Sequence, residues 1–280
     1  MLGAATAWST AGLAQHELGA TAATQVAGRA AFATLALFVF VVLLERRGTW
    51  RAFRTMGRWG LALAVCLAIS SGAFLLALNY STVANVLFMQ AAAPMLAALL
   101  GWALLRERID GRTWLALLLA GAGVATMAIG SLEAGAAAVV LPLVVTVSFA
   151  AVIVIARYRR EVSMMPATCA SQVLVVLVCL PLISLGSVSR RDWAILAALG
   201  IGQMGLGLAL LTVGARLIPP AEVALISLIE IVLGPLWVWL AYDERPTTAT
   251  VVGGVIVVAA VLIQTLGPSR TREAVASHAG

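Results

Sequence analysis

The stretch ANVLFMQAAAPMLAALLGWALLRERIDGRTW, residues 84–114, has a counterpart 137 residues further along the chain. The counterpart is AEVALISLIEIVLGPLWVWLAYDERPTTATV, residues 221–251. Three features align without a gap: Glu107-Arg108 with Glu244-Arg245, Thr113 with Thr250, and Trp102 with Trp239. Two unrelated hydrophobic hairpins could also look alike, but the ungapped Glu-Arg match favours a true internal repeat. This repeat decides how the fold is organised.

The composition is that of an integral membrane protein. Of the 280 residues, 62% are hydrophobic and 11% are charged, whereas a soluble domain carries roughly 25% charged residues. The mean hydropathy is +1.04. The apolar runs are continuous and do not alternate, which predicts an all-α membrane protein rather than a β-barrel. The first stretch, MLGAATAWSTAGLAQ, lacks the basic start of a cleavable signal peptide, so we expect it to form a short spanning helix.

Ten apolar runs are long enough to be membrane spans, because a spanning helix needs about 20 mostly apolar residues. Short segments rich in arginine or helix-breaking residues separate them. The predicted spans are 2–16, 20–44, 59–78, 82–104, 113–131, 134–156, 165–186, 192–212, 219–241 and 247–266.

The arginines predict the orientation in the membrane. All 18 basic residues are arginines. With the N-terminus in the cytoplasm, 14 of them fall on the cytoplasmic side, whereas Arg190, Arg191 and Arg245 fall on the other side and Arg29 lies within a span. Cytoplasmic loops are enriched in basic residues, so we expect both termini to be cytoplasmic. The same distribution explains the net charge of +6 without a nucleic-acid partner.

The repeat divides the predicted spans into two sets of five. Because five is odd, the second copy must cross the membrane in the opposite direction. Inverted repeats of this kind are typical of transporters, whose substrate site lies near the membrane midplane between the halves. We therefore predict a first repeat at 1–132, a second, inverted repeat at 133–267 and a cytoplasmic tail at 268–280. The first four spans and spans six to nine would frame a central cavity, with the fifth and tenth spans at the periphery.

The pattern around the fourth span resembles the EamA-type modules of the drug/metabolite transporter superfamily. Pro94 precedes Glu107 by thirteen residues, and a short helix with glycines follows. The segments WSTAGL (8–13) and GRAAFATLAL (28–37) are similar to the first two helices of that family. The resemblance covers essentially the whole chain as two modules and implies a ten-helix basket around a cavity that opens alternately to either side. In one departure from the family pattern, the glutamate of the ninth span is not followed directly by proline, since Ile231 follows Glu230 and Pro235 comes later.

More weakly, the chain resembles the YddG-like group of bacterial amino acid exporters. This implies a secondary transporter that exports small amphipathic metabolites, such as aromatic or neutral amino acids, across the inner membrane by alternating access. A passive facilitator or channel, or a drug efflux carrier of the same fold, is the alternative. A membrane enzyme or scaffold is disfavoured, because the sequence has no catalytic constellation, metal-ligand spacing or nucleotide-binding motif and predicts no cofactor. The expected partners are the small-molecule substrate and the lipid bilayer. The sequence does not determine the oligomeric state and is compatible with a monomer.

Glu230 is the principal candidate for a functional residue, because it lies near the centre of the ninth span. A charged residue there costs about 2.5–3.5 kcal/mol on insertion scales. It could bind a substrate amine, carry a coupling proton, or form a structural hydrogen bond to a neighbouring helix. Further candidates for lining the cavity are polar, aromatic or sulfur-containing residues at helical spacing, for each of which ordinary packing is an alternative: Trp8, Gln15, Met89, Gln90, Gln203 and Ser227.

Arg29 is a second charged residue within a span. It could extend to the membrane surface, pair with a glutamate or neutralise a substrate carboxylate. Pro142 and Pro181 are predicted to bend the sixth and seventh spans and to act as hinges, because proline removes a backbone hydrogen bond. Glu222, just after Pro219-Pro220, is expected to stabilise a helix start.

Overall fold

The computed structural model describes residues 8–45, 48–106, 109–158, 164–184, 188–207 and 220–265. The regular secondary structure in these ranges is helical. The α-helices are α1 (Ala11–His16), α2 (Ala22–Glu45), α3 (Thr49–Thr55), α4 (Gly57–Ala77), α5 (Val83–Gln90), α6 (Ala93–Leu105), α7 (Gly111–Gly130), α8 (Ala136–Tyr158), α9 (Met164–Cys179), α10 (Arg190–Ala197), α11 (Pro220–Tyr242) and α12 (Thr248–Thr265). A π-helical segment, Ala198–Leu206, continues α10, and short 3₁₀ turns cover Leu132–Ala134 and Leu180–Leu182.

The all-helical membrane fold predicted from the sequence is confirmed. Within the described residues, seven helices are long and apolar enough to cross a membrane: Ala22–Leu44, Gly57–Ala77, Val83–Leu104, Gly111–Gly130, Ala136–Tyr158, Met165–Leu182 and Thr248–Thr265. Each of them falls on a predicted span. The predicted first, eighth and ninth spans are helical where they are described, and parts of each lie outside the described residues. The count of ten spans stays a prediction.

The internal repeat is visible in the backbone. Arg106 and Asp243 are the two non-glycine residues with positive φ in the described part of the chain, at 54° and 51°. They are separated by the repeat offset, and each directly follows the end of a helix, α6 or α11. A few residues later, the side chains of Asp110 and Thr247, also equivalent, accept hydrogen bonds from the backbone N–H groups of Thr113 and Thr250. Equivalent positions therefore use the same turn and the same helix start.

Helix packing also follows the repeat. Corresponding helices of the two copies contact each other: α2 with α9, α5 with α11, and α7 with α12. Other contacts occur in matched pairs, since α2 packs on the π-helical segment as α9 packs on α4. This is the contact pattern expected when two similar halves interlock around a common centre.

The α7–α12 pair lies at the periphery, as predicted for the fifth and tenth spans. Its backbones approach closely, because a Cβ on Gly123 would lie 2.6 Å from the Gly253 carbonyl oxygen. Small residues permit such contact between helices in membranes. The opposite faces of these helices expose large apolar side chains such as Leu118 and Val255, as lipid contact requires.

The fourth span is broken rather than bent. α5 ends at Gln90, residues 91–92 form a turn, and α6 begins at Ala93. Pro94 lies at the start of α6, where its missing N–H is tolerated. In an unbroken helix that N–H would have bonded to the backbone carbonyl of Gln90, so the proline favours a break at this point.

The two predicted hinge prolines occupy different settings. Pro142 lies inside α8, as predicted. Pro181 lies in the 3₁₀ turn after α9 has ended at Cys179, so it does not bend the interior of a helix, contrary to the sequence-based expectation. Proline is common just beyond a helix end because it cannot continue the helix.

Candidate functional site

A pair of hydrogen bonds joins Trp8, just before α1, to Gln203 in the π-helical segment. The Trp8 indole N–H donates to the backbone carbonyl of Gln203 at 2.7 Å. The Gln203 side-chain amide N–H donates to the backbone carbonyl of Trp8 at 3.2 Å. The structure thus brings together two of the residues that the sequence predicted to line a cavity, one from each repeat.

The Gln203 side of this link lies in the π-helical segment. π-Helical turns, which alter the backbone hydrogen-bond pattern, are rare in proteins. Where they occur, they often lie at functional sites. Glycines let neighbouring groups approach the segment: a Cβ on Gly207 would lie 2.5 Å from the Trp8 indole nitrogen, and one on Gly200 would lie 2.6 Å from the Arg29 carbonyl oxygen. Larger residues at these positions would displace the indole ring or α2.

A groove of about 330 Å³ lies between α1 and the α10–π-segment helix. This volume is at the small end of the range of roughly 300–1,000 Å³ for small-molecule sites. The groove is lined mainly by apolar groups, with Glu17 and Gln203 as its larger polar residues; the lining residues are Thr10, Ala14, Glu17, Ile195, Ala198, Leu199, Gly202, Gln203 and Leu206.

Gln203 presents an unused hydrogen-bond acceptor. Its side chain is only 7% exposed, and its Oε1 atom is buried without a hydrogen-bond donor among the described residues. A buried polar atom left unpaired costs about 1–3 kcal/mol. A ligand with an N–H or O–H donor would satisfy this oxygen.

Glu230 lies on the inward face of α11. Gly234 and Val238 follow it at four-residue intervals, so the three share one face of the helix. Gly234 is packed against Leu87 of α5, and Val238 against Val83 and Leu87. Large side chains on the other face, such as Val232 and Leu240, are exposed. The half-buried Glu230 therefore faces the neighbouring helices rather than lipid.

The packing of α11 on α5 also sets the depth of Glu230. Val238 contacts Val83, and Gly234, one turn deeper, contacts Leu87. Continuing this antiparallel register by one more turn brings Glu230 level with Gln90, at the break in the fourth span. Gln90 Oε1 is buried without a donor in the described part of the chain. In transporters, broken spans near the midplane commonly form binding sites.

The remaining predicted lining residues are more dispersed. Met89 is fully buried in a cluster with Met127 and Val257, so it packs toward the peripheral α7–α12 pair and does not line the groove. Gln15 and Ser227 belong to α1 and α11, but their side chains lie outside the described residues. The side chain of Glu222 is outside them too.

Arg29 does not extend to the membrane surface. It is 4% exposed, and its Nη2 atom donates to the Ser71 hydroxyl at 2.7 Å, which links α2 to α4. Among the described residues no carboxylate is within ion-pair distance of it. The sequence left three roles for Arg29. Its burial excludes a contact with the membrane surface, and pairing with a glutamate is not observed among the described residues.

Sequence reasoning missed a polar cluster on the loops beside the groove. Glu17, at the end of the α1 region, forms an ion pair with Arg191 of α10 and accepts a hydrogen bond from Tyr242 at the end of α11. Asp192 accepts a hydrogen bond from the backbone N–H of Gly19 at 3.2 Å. The three contacts join residues that are 173, 174 and 225 positions apart, so only tertiary structure could reveal the cluster.

Asn85 completes the hydrogen bonding of the helix around Pro142. Since Pro142 has no N–H, the carbonyl of Ala138 loses its donor within α8. The Asn85 side-chain amide takes this place, with Nδ2 at 3.5 Å from the Ala138 oxygen. It also donates to Ser81 Oγ at 2.8 Å. The signal was an asparagine in an apolar span, but its partner could not be read from the sequence.

Comparison with known proteins places this arrangement in a family. The profile described as the EamA-like transporter family matches residues 1–129 and again 136–266. The crystal structure of another protein shares 20% sequence identity with this chain at a TM-score of 0.67, and the match covers 95% of this chain and 96% of that one. At that identity the similarity concerns the fold. No curated protein gives a significant match.

Proposed function

Because the chain belongs to the EamA-like transporter family, we propose that it exports small amphipathic metabolites across a bacterial inner membrane by alternating access. Aromatic or neutral amino acids, the solutes of the YddG-like group, are the substrates we propose. The observation that carries this proposal is the mainly apolar groove between α1 and the π-helical segment, which Gln203 helps to line.

The groove fits a solute with one polar end. Its volume of about 330 Å³ suits a small metabolite rather than a peptide or a lipid tail. Apolar side chains would cover the body of such a solute, and the Gln203 oxygen would accept a hydrogen bond from its amine. The Trp8–Gln203 link would tie occupancy of the groove to the contact between the two repeats.

Glu230 is proposed as the acidic residue of the pathway. Its face of α11 is directed into the helix bundle, at the level of the broken fourth span. An ionisable group can be charged or exchange a proton there, whereas a charge in contact with lipid would be too costly. It would bind the substrate amine or carry the coupling proton. A purely structural hydrogen bond of the protonated acid is the alternative.

The proposed orientation has both termini in the cytoplasm. It places the cluster of Glu17, Arg191 and Tyr242 on the periplasmic side, and the contact of Glu244 with the backbone N–H of Val83, at 2.8 Å, on that side as well. These contacts join loops from both repeats, so the described conformation would be closed toward the periplasm. A reporter that is active only in the periplasm, fused after Gly280, should give no signal; a strong signal would reverse the orientation.

The decisive test is flux into proteoliposomes containing the purified protein. Labelled aromatic and neutral amino acids should enter faster than into protein-free liposomes, and a pH gradient should drive accumulation above equilibrium. Flux that only equilibrates the solute, with or without the gradient, would identify a passive facilitator instead. No flux of any amino acid, together with gradient-driven movement of amphipathic drugs, would favour an efflux carrier.

A further inference from the structure

Arg29 carries a buried positive charge that the described part of the protein does not neutralise. It lies in α2, seven residues after the helix start at Ala22, which corresponds to about 10 Å along the axis. Its side chain is 96% buried, and its Nε atom is buried without a hydrogen-bond acceptor among the described residues. Within the described part of the chain, its hydrogen bond is the one from Nη2 to the neutral Ser71 hydroxyl.

This state is costly unless another group completes it. A guanidinium stays protonated in proteins and offers five N–H donors, of which the serine takes one. Charges buried in a membrane protein normally face a partner, a cavity or a transport pathway. The Nε–H, which has no acceptor among the described residues, shares an edge of the guanidinium with Nη2, and a carboxylate can bind at that edge through Nε–H and the Nη2 hydrogen that Ser71 does not take.

The surroundings place Arg29 where the two repeats meet. The backbone at Arg29 touches the π-helical segment, since a Cβ on Gly200 would lie 2.6 Å from the Arg29 carbonyl oxygen. Gln203 lies three residues further along the same segment. Ser70, next to Ser71, donates to the Val145 carbonyl of α8 at 3.5 Å, so the serine pair connects Arg29 to the second repeat.

We propose that Arg29 selects the solute by binding its carboxylate through the Nε–H edge of the guanidinium. The inference rests on the proposed transport function and deepens it, because it requires the solute to carry an anionic carboxyl group as well as an apolar body. Ser71 acts as a positioning residue that orients the guanidinium. A solute whose carboxylate is masked as an amide loses the charge-assisted hydrogen bonds and leaves Arg29 uncompensated.

Binding can be measured without transport, by thermal unfolding of the purified full-length protein in detergent. Ligands that bind the folded state raise its melting temperature. The probes are two matched pairs, phenylalanine with phenylalaninamide and benzoate with benzamide, together with inorganic phosphate. The variants are Arg29→Gln, which removes the charge, Arg29→Lys, which keeps the charge without the planar fork, and Ser71→Ala, which removes the hydroxyl.

The acids should stabilise the wild type and the amides should not. In Arg29→Gln the apparent Kd for the acids should rise roughly tenfold or more, the loss expected for a charge-assisted bidentate contact. Arg29→Lys should retain a weaker preference for the acids over the amides. Ser71→Ala should retain most of that preference. Equal stabilisation by acid and amide in the wild type would overturn the proposal, as would an unchanged preference in Arg29→Gln.

Three other results separate this proposal from its rivals. If phosphate stabilises the wild type better than either acid, the carboxylate assignment is wrong. If Ser71→Ala loses as much affinity for the acids as Arg29→Gln does, the contact between α2 and α4 controls binding, and the guanidinium does not. If the acids stabilise the wild type through Arg29 but proteoliposomes move no amino acid, the transport proposal fails while the Arg29 site stands.

Discussion

Trp8 and Gln203 exchange two hydrogen bonds, each between a side-chain N–H of one residue and the backbone carbonyl of the other. The two residues lie 195 positions apart, one in each repeat. The exchange occupies the Trp8 N–H and one Gln203 N–H, whereas Gln203 Oε1 is buried without a hydrogen-bond donor among the described residues. The Gln203 side chain therefore combines a donor that fixes the contact between the repeats with a buried acceptor beside the groove that the residue lines.

Replacing Gln203 by methionine tests the side-chain amide as a whole. The variant keeps approximate volume and the backbone carbonyl that binds the Trp8 indole, but it should lose the hydrogen bond from the side chain to the Trp8 carbonyl, at a cost of about 1 kcal/mol, and lose transport by at least about tenfold. Gln264→Met is the matched control, because Gln264, on the peripheral α12, is another amide whose Oε1 is buried without a donor among the described residues. Flux and thermal unfolding should be measured on both. A control that loses as much transport as Gln203→Met would remove the case for the groove.

Asn85 and Pro142 form a second coupled pair. Pro142→Ala restores a backbone donor for the Ala138 carbonyl, so Asn85 no longer has to supply one. Asn85→Leu should destabilise the wild type by about 1–3 kcal/mol and the Pro142→Ala protein by less. A double-mutant cycle in thermal unfolding measures the difference. Strictly additive effects would mean that the hydrogen bond from Asn85 does not compensate for the proline.

Pro142→Ala also tests whether α8 acts as a hinge. A continuous hydrogen-bond ladder should stiffen the helix and slow transport while leaving the folded protein intact. Pro181→Ala provides the comparison, because Pro181 lies beyond the end of α9 and bends no helix interior. We therefore expect Pro181→Ala to change flux less than Pro142→Ala.

The architecture could be predicted from the sequence largely because lipid imposes simple rules on length and polarity. Spans such as Gly111–Gly130 coincide with predicted apolar runs, and the offset found in the Glu-Arg match recurs in the backbone at Arg106 and Asp243. The break at Gln90 was less predictable, because Pro94 is compatible with both a bend and a new helix start. Hydropathy alone does not distinguish the two.

The site could be predicted only in part. A mid-span acid such as Glu230, or an amide such as Gln203, is conspicuous by its cost in lipid. The partners of these residues are not conspicuous in the sequence. Gln203, for example, contacts Trp8 from a π-helical segment, and no local sequence rule identifies such a segment. Met89 illustrates the limit: it shares a helix with Gln90 but packs toward the periphery, since a single residue step rotates a side chain by about 100° around the axis.

The Glu17–Arg191 contact should restrain one of the conformations required for alternating access. As an exposed ion pair it contributes only about 0.2–1 kcal/mol, so Glu17→Gln should barely change stability. A covalent crosslink is a stronger restraint. In a background lacking Cys66, Cys169 and Cys179, a Glu17→Cys/Arg191→Cys protein should stop transporting when its two thiols are joined by a short bifunctional crosslinker that itself contains a disulfide, and recover when that linker is reduced, because the crosslinker spans a pair whose Glu and Arg side chains meet only at their tips.

The control for this crosslink is a cysteine pair within one loop. Asp243 and Arg245 also form an ion pair, but both lie between α11 and α12. Asp243→Cys/Arg245→Cys should therefore transport alike before and after treatment with the crosslinker. Full transport by the crosslinked Glu17→Cys/Arg191→Cys protein, with the crosslink verified by mass spectrometry, would show that these segments need not separate.

Glu230 should matter more for transport than for folding. Its helix face is directed toward α5 at the level of the broken fourth span, and Gln can still satisfy a neighbouring donor there but cannot ionise. We expect Glu230→Gln to purify as a folded protein and to lose transport or its dependence on pH. Glu222→Gln, near the start of α11, should change flux much less, because a carboxylate at that position is expected to stabilise the helix terminus.

The measurements are flux at several pH values and thermal unfolding of the same preparations. Wild-type flux for Glu230→Gln at every pH would leave the acid with a structural hydrogen bond only. A large loss of thermal stability would show that Glu230 holds α11 against its neighbours. In that case Glu230→Asp distinguishes the two roles, because it keeps the ionisable group but withdraws it by one methylene. Recovery of pH-dependent flux in Glu230→Asp, even at a reduced rate, would assign the titratable carboxyl group to transport. A side chain shortened by one methylene and serving only as a structural hydrogen-bond partner would restore neither the flux nor its dependence on pH.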